Sequence, residues 1–195
     1  TTGGRVDSPP TIHRGHVLFG SRDGWVYCLQ ASDGQLVWRF RAAPEERKMM
    51  AFEQLESTWP VHGSVLVQKD TVYCAAGRSS YLDGGIRVYG LHPQNGRVLH
   101  SATLAGPFPD VAAGTRDFAF YLTGANSDVL VSEGDSIYMR QKKLTPELEE
   151  VEVPFSRQTD SDGIIVALGR KANLGFVARG SADSGTFRIS YPHPE

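Results

Sequence analysis

Residues 25–40 read WVYCLQASDGQLVWRF, and residues 86–100 read IRVYGLHPQNGRVLH. Each describes an alternating strand, a two-residue turn ending in glycine, and a second alternating strand. At a fixed offset of 62, Val26 matches Val88, Tyr27 matches Tyr89, Leu29 matches Leu91 and Gly34 matches Gly96. Asp-Gly and Asn-Gly suit such turns because the backbone there needs positive φ, which glycine adopts without a steric cost. Apolar residues fall on both faces of the strands: Val26 and Cys28 on one, Tyr27 and Leu29 on the other. A strand apolar on both sides belongs to a sheet stacked between two others.

A hairpin repeat of this length predicts an all-β chain, a partial β-propeller of four-stranded antiparallel blades. Such a scaffold binds and displays unless a site has been grafted onto it. The first blade is placed at 8–40, with strands around Thr11, Val17, Tyr27 and Trp38. The second is placed at 59–104, turning at Lys69-Asp70 and Asn95-Gly96. A partial third, at 121–150, contains DVLVSEGDSIYMR, which aligns with SVLVQKDTVYCAA if one extra turn residue is allowed. Residues 105–120 read as an inter-blade connection. Residues 151–195 carry strand candidates at 163–169, 175–180 and 186–191 that match no blade, and are left unassigned. The whole of 1–195 is read as one partial propeller.

Between the first two blades, 41–58 breaks the pattern. Pro44 suits a first helical turn, Glu45 and Glu46 favour the positive end of a helix dipole, and Met49, Phe52 and Leu55 recur at helical spacing. The expectation is a short amphipathic helix inserted between blades.

Composition narrows the function. The 195 residues are 40% hydrophobic and 22% charged, with a net charge of -2. That balance gives no basic excess for nucleic acid. No apolar run approaches the roughly 20 residues of a membrane-spanning helix. The opening TTGGRVDSPP shows no signal-peptide pattern and reads as cut from a longer chain. Cys28 and Cys74 read as small buried hydrophobes. The histidines 13, 16, 62, 92, 100 and 193 show no zinc spacing, so no metal is expected. Asp160–Gly163 starts like a calcium loop but places Ile164 at the next ligand position. Gly180–Gly185 mimics a phosphate loop but has Thr186 where lysine is required. Ser79 and Ser80 lack the second glycine of a nucleophile elbow. No catalytic constellation emerges.

The second blade carries about seven residues more than the first, at 79–85, and insertions in repeats often gather on the binding face. Arg78, Tyr81 and Asp83 join an aromatic face to hydrogen-bonding groups, which suits a peptide or a sugar. They form the candidate binding loop.

The first repeat resembles the pyrroloquinoline-quinone-type propeller repeat, Ala-x-Asp-x-x-Thr-Gly-x-x-x-Trp, at Cys28, Gln30, Asp33, Gly34 and Trp38. Gly34 and Trp38 keep the family residues. The second repeat places Gly90, His92, Asn95, Gly96 and His100 there and keeps Gly96. With SPPTIHRGHVLFGSRDG before and WPVHGSVLV and AAGRSSYLDGGIRVYGL after, the stretch 8–145 is similar to the bacterial quinoprotein-like propellers that include the outer-membrane assembly scaffold BamB. The resemblance implies that Gly34 and Gly96 make tight turns and that Trp38 locks blade to blade. His100 implies an absent or altered contact in the second blade. It also implies an extracytoplasmic, periplasmic setting and a protein partner, or the remaining blades of a larger chain or other copies. The expected function is a non-catalytic scaffold without a cofactor. The alternatives are a fragment of a quinone- and calcium-dependent dehydrogenase, or a glycan-binding propeller using 78–85. Those dehydrogenases hold the quinone between stacking groups, often beside adjacent cysteines, whereas these two cysteines lie 46 positions apart.

Overall fold

The computed structural model describes residues 1–51, 53–106, 108, 125–140 and 142–151, and the strand backbones 156–159, 165–168, 177–180 and 187–190. The chain divides into two compact units, Thr1–Val151 and Glu152–Glu195.

In the first unit, β1 (Thr11–His13), β2 (His16–Gly20), β3 (Trp25–Gln30) and β4 (Leu36–Arg41) form a four-stranded antiparallel sheet in sequence order. A separate hairpin follows, β5 (Lys48–Ala51) with β6 (Gln54–Ser57). The second sheet runs β7 (Leu66–Gln68), β8 (Thr71–Ala76), β9 (Ile86–Leu91) and β10 (Val98–Leu104). The third runs β11 (Leu130–Glu133), β12 (Ser136–Met139), β13 (Lys142–Leu144) and β14 (Glu150–Val151). In the second unit, β15 (Ser156–Thr159) pairs with β16 (Ile165–Leu168), and β17 (Val177–Gly180) with β18 (Phe187–Ser190). Asp160–Gly163 and the loop residues 181–186 lie outside the described residues, as does most of 105–120.

The turns repeat from sheet to sheet. The first strand pair of each of the first two sheets turns through two residues at positive φ, Arg14 (45°) with Gly15 (77°) and Lys69 (44°) with Asp70 (60°). That geometry matches the right-handed twist of the flanking strands. In the third sheet Glu133 pairs Ser136, as Gln68 pairs Thr71 in the second, so both turns have the same length. The extra turn residue expected from the alignment is therefore absent, and buried Val65 and Leu130 occupy equivalent positions. The third-to-fourth strand turns are wider than the two-residue form expected. Gln30 N–H reaches Gln35 O at 2.8 Å and His92 N–H reaches Arg97 O at 2.8 Å. Asp33 and Asn95 cap these turns by accepting the N–H groups of Gln35 and Arg97, each at 3.0 Å. Thr145 does the same for Glu149 at 3.2 Å in the third sheet. There Leu148, at φ 70°, stands where Gly34 and Gly96 stand.

Strand alternation builds the core in two layers. Val72, Cys74 and Ala76 of β8 face the first sheet and join Leu18, Val26, Cys28 and Trp38. Tyr73 and Ala75 face the other way and join Ile137, Met139 and Leu144. The second sheet is thus sandwiched, which explains apolar residues on both its faces. Along the first strands, Arg14 pairs with Asp70 at 2.7 Å, and Lys69 with Asp135, one sheet to the next.

The expected helix at 41–58 is not formed; the segment is the β5–β6 hairpin, reversing near Glu53 at φ 61°. Among the described residues no helix is present. A helix this short is marginal unless an apolar face is buried. Here Met50 and Leu55 remain 68% and 57% exposed. What the segment does bury is the carboxylate of Glu56, on which Arg22 and Arg78 converge.

Candidate functional site at the β8–β9 loop

Because neighbouring strands run antiparallel, the β2–β3 turn, the β4–β7 link and the β8–β9 loop fall at one end of the sheets. The 77–85 loop is held from both sides. Gly77 N–H donates to Pro60 O at 3.0 Å, Ser80 N–H to Ala125 O at 2.7 Å and Ser127 N–H to Arg78 O at 3.0 Å. Ser80 is buried and its Oγ accepts the Ala125 N–H at 2.9 Å, a structural hydroxyl.

Arg78 points inward and donates to Glu56, whose side chain is only 1% exposed. Arg22 donates to the other carboxylate oxygen at 2.6 Å and also to Asp7, which Arg5 holds at 2.5 Å. Burial pushes the Glu56 carboxyl up, but the hydrogen bonds and charges of Arg78 and Arg22 outweigh it and hold it below the ordinary carboxylate value. Asp7 is held low in the same way, burial being outweighed by Arg22 and Arg5. His62, with Nδ1 3.8 Å from Asp7, is lowered by burial and by the charges of Arg22 and Arg78. Four segments that are remote in sequence are joined here: the N-terminal stretch, the β2–β3 turn, β6 and the 77–85 loop.

Asp83 is also engaged. Its carboxylate accepts from Arg47, its carbonyl accepts Trp59 Nε1–H at 3.0 Å, and the Arg47 guanidinium lies 4.7 Å from the Trp59 ring centroid. Tyr81 meets Phe108 edge to face at 6.2 Å. The charges of Arg78 and Asp83 are thus satisfied internally, while Leu82 and Phe108 stand 54% and 65% exposed. Sequence reasoning missed Glu56, Arg22 and Arg47. Their signal was a glutamate in a segment of helical periodicity, whose partners lie 34 and 22 positions away.

The turn residues hold the sheets together. Trp38 is buried, donates Nε1–H to Pro93 O at 2.8 Å, and its ring lies 2.7 Å from where a Gly96 Cβ would stand. Gly34, at φ 73°, has no neighbour within 4 Å of such a position. Among the described residues His100 makes no equivalent of the tryptophan contact. Instead Tyr73 Oη donates to Pro146 O at 2.9 Å, and Pro146 occupies the turn position of Pro93.

Among the described residues no group of three or more His, Cys, Asp or Glu could hold a metal ion. Cys28 and Cys74 are free and buried, with their thiols pushed up to about 11 and about 12 by burial. Trp25 lies beneath the Arg39 guanidinium at 4.6 Å and Trp59 beneath Arg47, so two of the three tryptophans carry a cation on the ring. The described side chains do not fit a quinone with a calcium ion.

No curated protein matches the chain in sequence. Among solved structures it is similar to a quinohemoprotein alcohol dehydrogenase from Pseudomonas putida, at 12% identity and a TM-score of 0.53, over 95% of this chain and 34% of that one. It is also similar to a europium-containing methanol dehydrogenase, at 14% identity and a TM-score of 0.50, over 93% and 41%. BamB from Moraxella catarrhalis aligns at 12% identity with a TM-score of 0.47, over 98% and 48%. The chain therefore spans between about a third and a half of these proteins' lengths. At such identities the likeness concerns the fold. Residues 1–145 match the family model described as outer membrane protein assembly factor BamB. With that match covering most of its length, the chain belongs to the BamB family of quinoprotein-like β-propellers.

Proposed function

We propose that this chain is part of a non-catalytic, extracytoplasmic propeller that acts as a protein-interaction scaffold in outer membrane protein assembly. The observation that carries the reading, beside the family match, is the use of polar groups at the loop end. Arg78, Asp83, Glu56 and Ser80 are spent on internal contacts, while the apolar side chains of Met50, Leu55, Leu82 and Phe108 stay exposed, alongside the exposed charges of the hairpin. Apolar groups gathered around a rigid, internally neutralised frame suit a protein surface better than a small polar substrate.

The test has two arms. Titration with pyrroloquinoline quinone and calcium, followed by calorimetry and thermal melting, should leave the melt unmoved. Saturable binding with a raised melting temperature overturns the reading, because a ligand that binds only the folded state stabilises it. A photo-crosslinker at Leu82 should capture envelope protein, while one at Arg97, on the opposite end of the sheets, should not; equal capture at both positions also overturns it. The Tyr81–Phe108 pair favours a second reading, glycan binding through 78–85, which a glycan array tests against Tyr81→Ala.

A further inference from the structure

The hairpin between the first two sheets has one engaged edge and one bare edge. Thr58 N–H donates to Arg47 O at 2.9 Å, which makes Arg47 and Thr58 a hydrogen-bonded pair. Such pairs alternate along an antiparallel ladder, so Met49 with Glu56 and Ala51 with Gln54 face inward, and Lys48, Met50, Leu55 and Ser57 turn their backbone groups outward. On β6 the outward N–H of Ser57 is taken by Arg22 O at 2.8 Å, so that edge lies against the first sheet. On β5 the outward N–H and C=O groups of Lys48 and Met50 have no backbone partner among the described residues.

The root of the hairpin is fixed. Glu56 is clamped by Arg22 and Arg78, and Arg47 by Asp83 and the Trp59 ring. Met50 and Leu55 are directly opposite one another, on one face, and both are exposed. Within 44–57, Glu45, Glu46 and Glu53 are exposed and make no ion pair among the described residues, against Lys48 as the one cation of that segment besides the paired Arg47. The rim is therefore acidic.

We propose that the free edge of β5 receives an extended segment of a partner protein as a third strand, with apolar side chains beside Met50 and Leu55 and lysines or arginines against the glutamate rim. The proposal rests on the scaffold reading and names the chemistry of its partner. Main-chain bonds to Lys48 and Met50 would supply affinity, and the apolar pair and acidic rim would supply selectivity. A natural edge this exposed is usually blunted by proline or by several lysines; this one has a single lysine and no proline within β5.

The probe is a synthetic seven-residue peptide of alternating valine and lysine, titrated into the full chain by fluorescence anisotropy. Expected is saturable binding, weakened by about tenfold or more when glutamate replaces lysine, when the peptide is N-methylated on its pairing edge, or when the protein carries Met50→Pro. Met50→Pro removes an outward N–H and no ladder bond, so its melt should match the wild type. If that variant misfolds, Met50→Ser combined with Leu55→Ser keeps the backbone and should weaken binding to a similar degree. Equal binding of the acidic or N-methylated peptide, or no saturable binding, overturns the proposal. So does a wild-type dimer in sedimentation that Met50→Pro abolishes, which would make a second copy the occupant. If the peptide is inert while Leu82 still captures envelope protein, the docking edge alone fails; if quinone binds, the scaffold reading itself fails.

Discussion

Replacing Glu56 with alanine removes the carboxylate on which two arginines converge. The group is 1% exposed and accepts from Arg22 at 2.6 Å and from Arg78. Arg22 keeps Asp7, but Arg78 is left partly buried with its Nε already lacking a partner. Removing one member of a buried ion pair costs about 3–5 kcal/mol, because the stranded charge retains its desolvation penalty. For a domain of this size that corresponds to a fall of about 6–20 °C in melting temperature. Glu56→Gln keeps one acceptor and the shape, and should lose about half as much. The acid limb follows from the same geometry. The folded-state value of Glu56 lies below its ordinary 4.5, so its stabilisation is full above that value and is lost as pH falls through the depressed folded value. Asp7 behaves alike. Urea titrations at pH 7 and pH 3.5 on wild type and Glu56→Gln measure both effects. A loss under about 1 kcal/mol at pH 7, or an acid limb unchanged by the substitution, would refute the claim that this carboxylate holds the four segments together.

Trp38→Ala should cost about 3–5 kcal/mol in a urea melt, whereas Trp38→Phe should cost less by keeping most of the packing. Tyr73→Phe, which removes the hydroxyl that donates to Pro146, should cost about 1 kcal/mol. Gly34→Ala should cost about 1–2 kcal/mol from positive φ alone; Gly96→Ala should cost more, because its methyl meets the Trp38 ring. Equal losses at the two glycines would refute the docking role of Trp38. Cys28 and Cys74 should resist a thiol reagent at pH 8 in the native protein and react fully in denaturant, their thiols being pushed up to about 11 and about 12.

The alternation in WVYCLQ and IRVYGL, with the glycines at 34 and 96, was enough to define antiparallel sheets apolar on both faces. It was enough because strand period and positive-φ turns are local properties, set by residues within a few positions of one another. The same local logic failed at 44–57. Met49, Phe52 and Leu55 do recur at helical spacing, but the conformation was decided by Arg22 and Arg78, which no window on that segment contains. What stands in place of a tryptophan contact beside His100 is likewise a tertiary matter. Tyr73, on another strand of the same sheet, reaches the Pro146 turn instead, and only stacked sheets bring those groups together. Arg78, Tyr81 and Asp83 could be picked out as an unusual loop from residue type and insertion length. That Arg78 and Asp83 turn inward to Glu56 and Arg47, while Leu82, Met50 and Leu55 stay in solvent, is a matter of partners distant in the chain. The sequence by itself determined the strands of the first two sheets, where their turns fall and the family, since short-range sterics and hydrophobic period encode them. Only the tertiary structure decided which charges are neutralised and which edge is left bare, since those depend on the free energy of bringing remote groups out of water together.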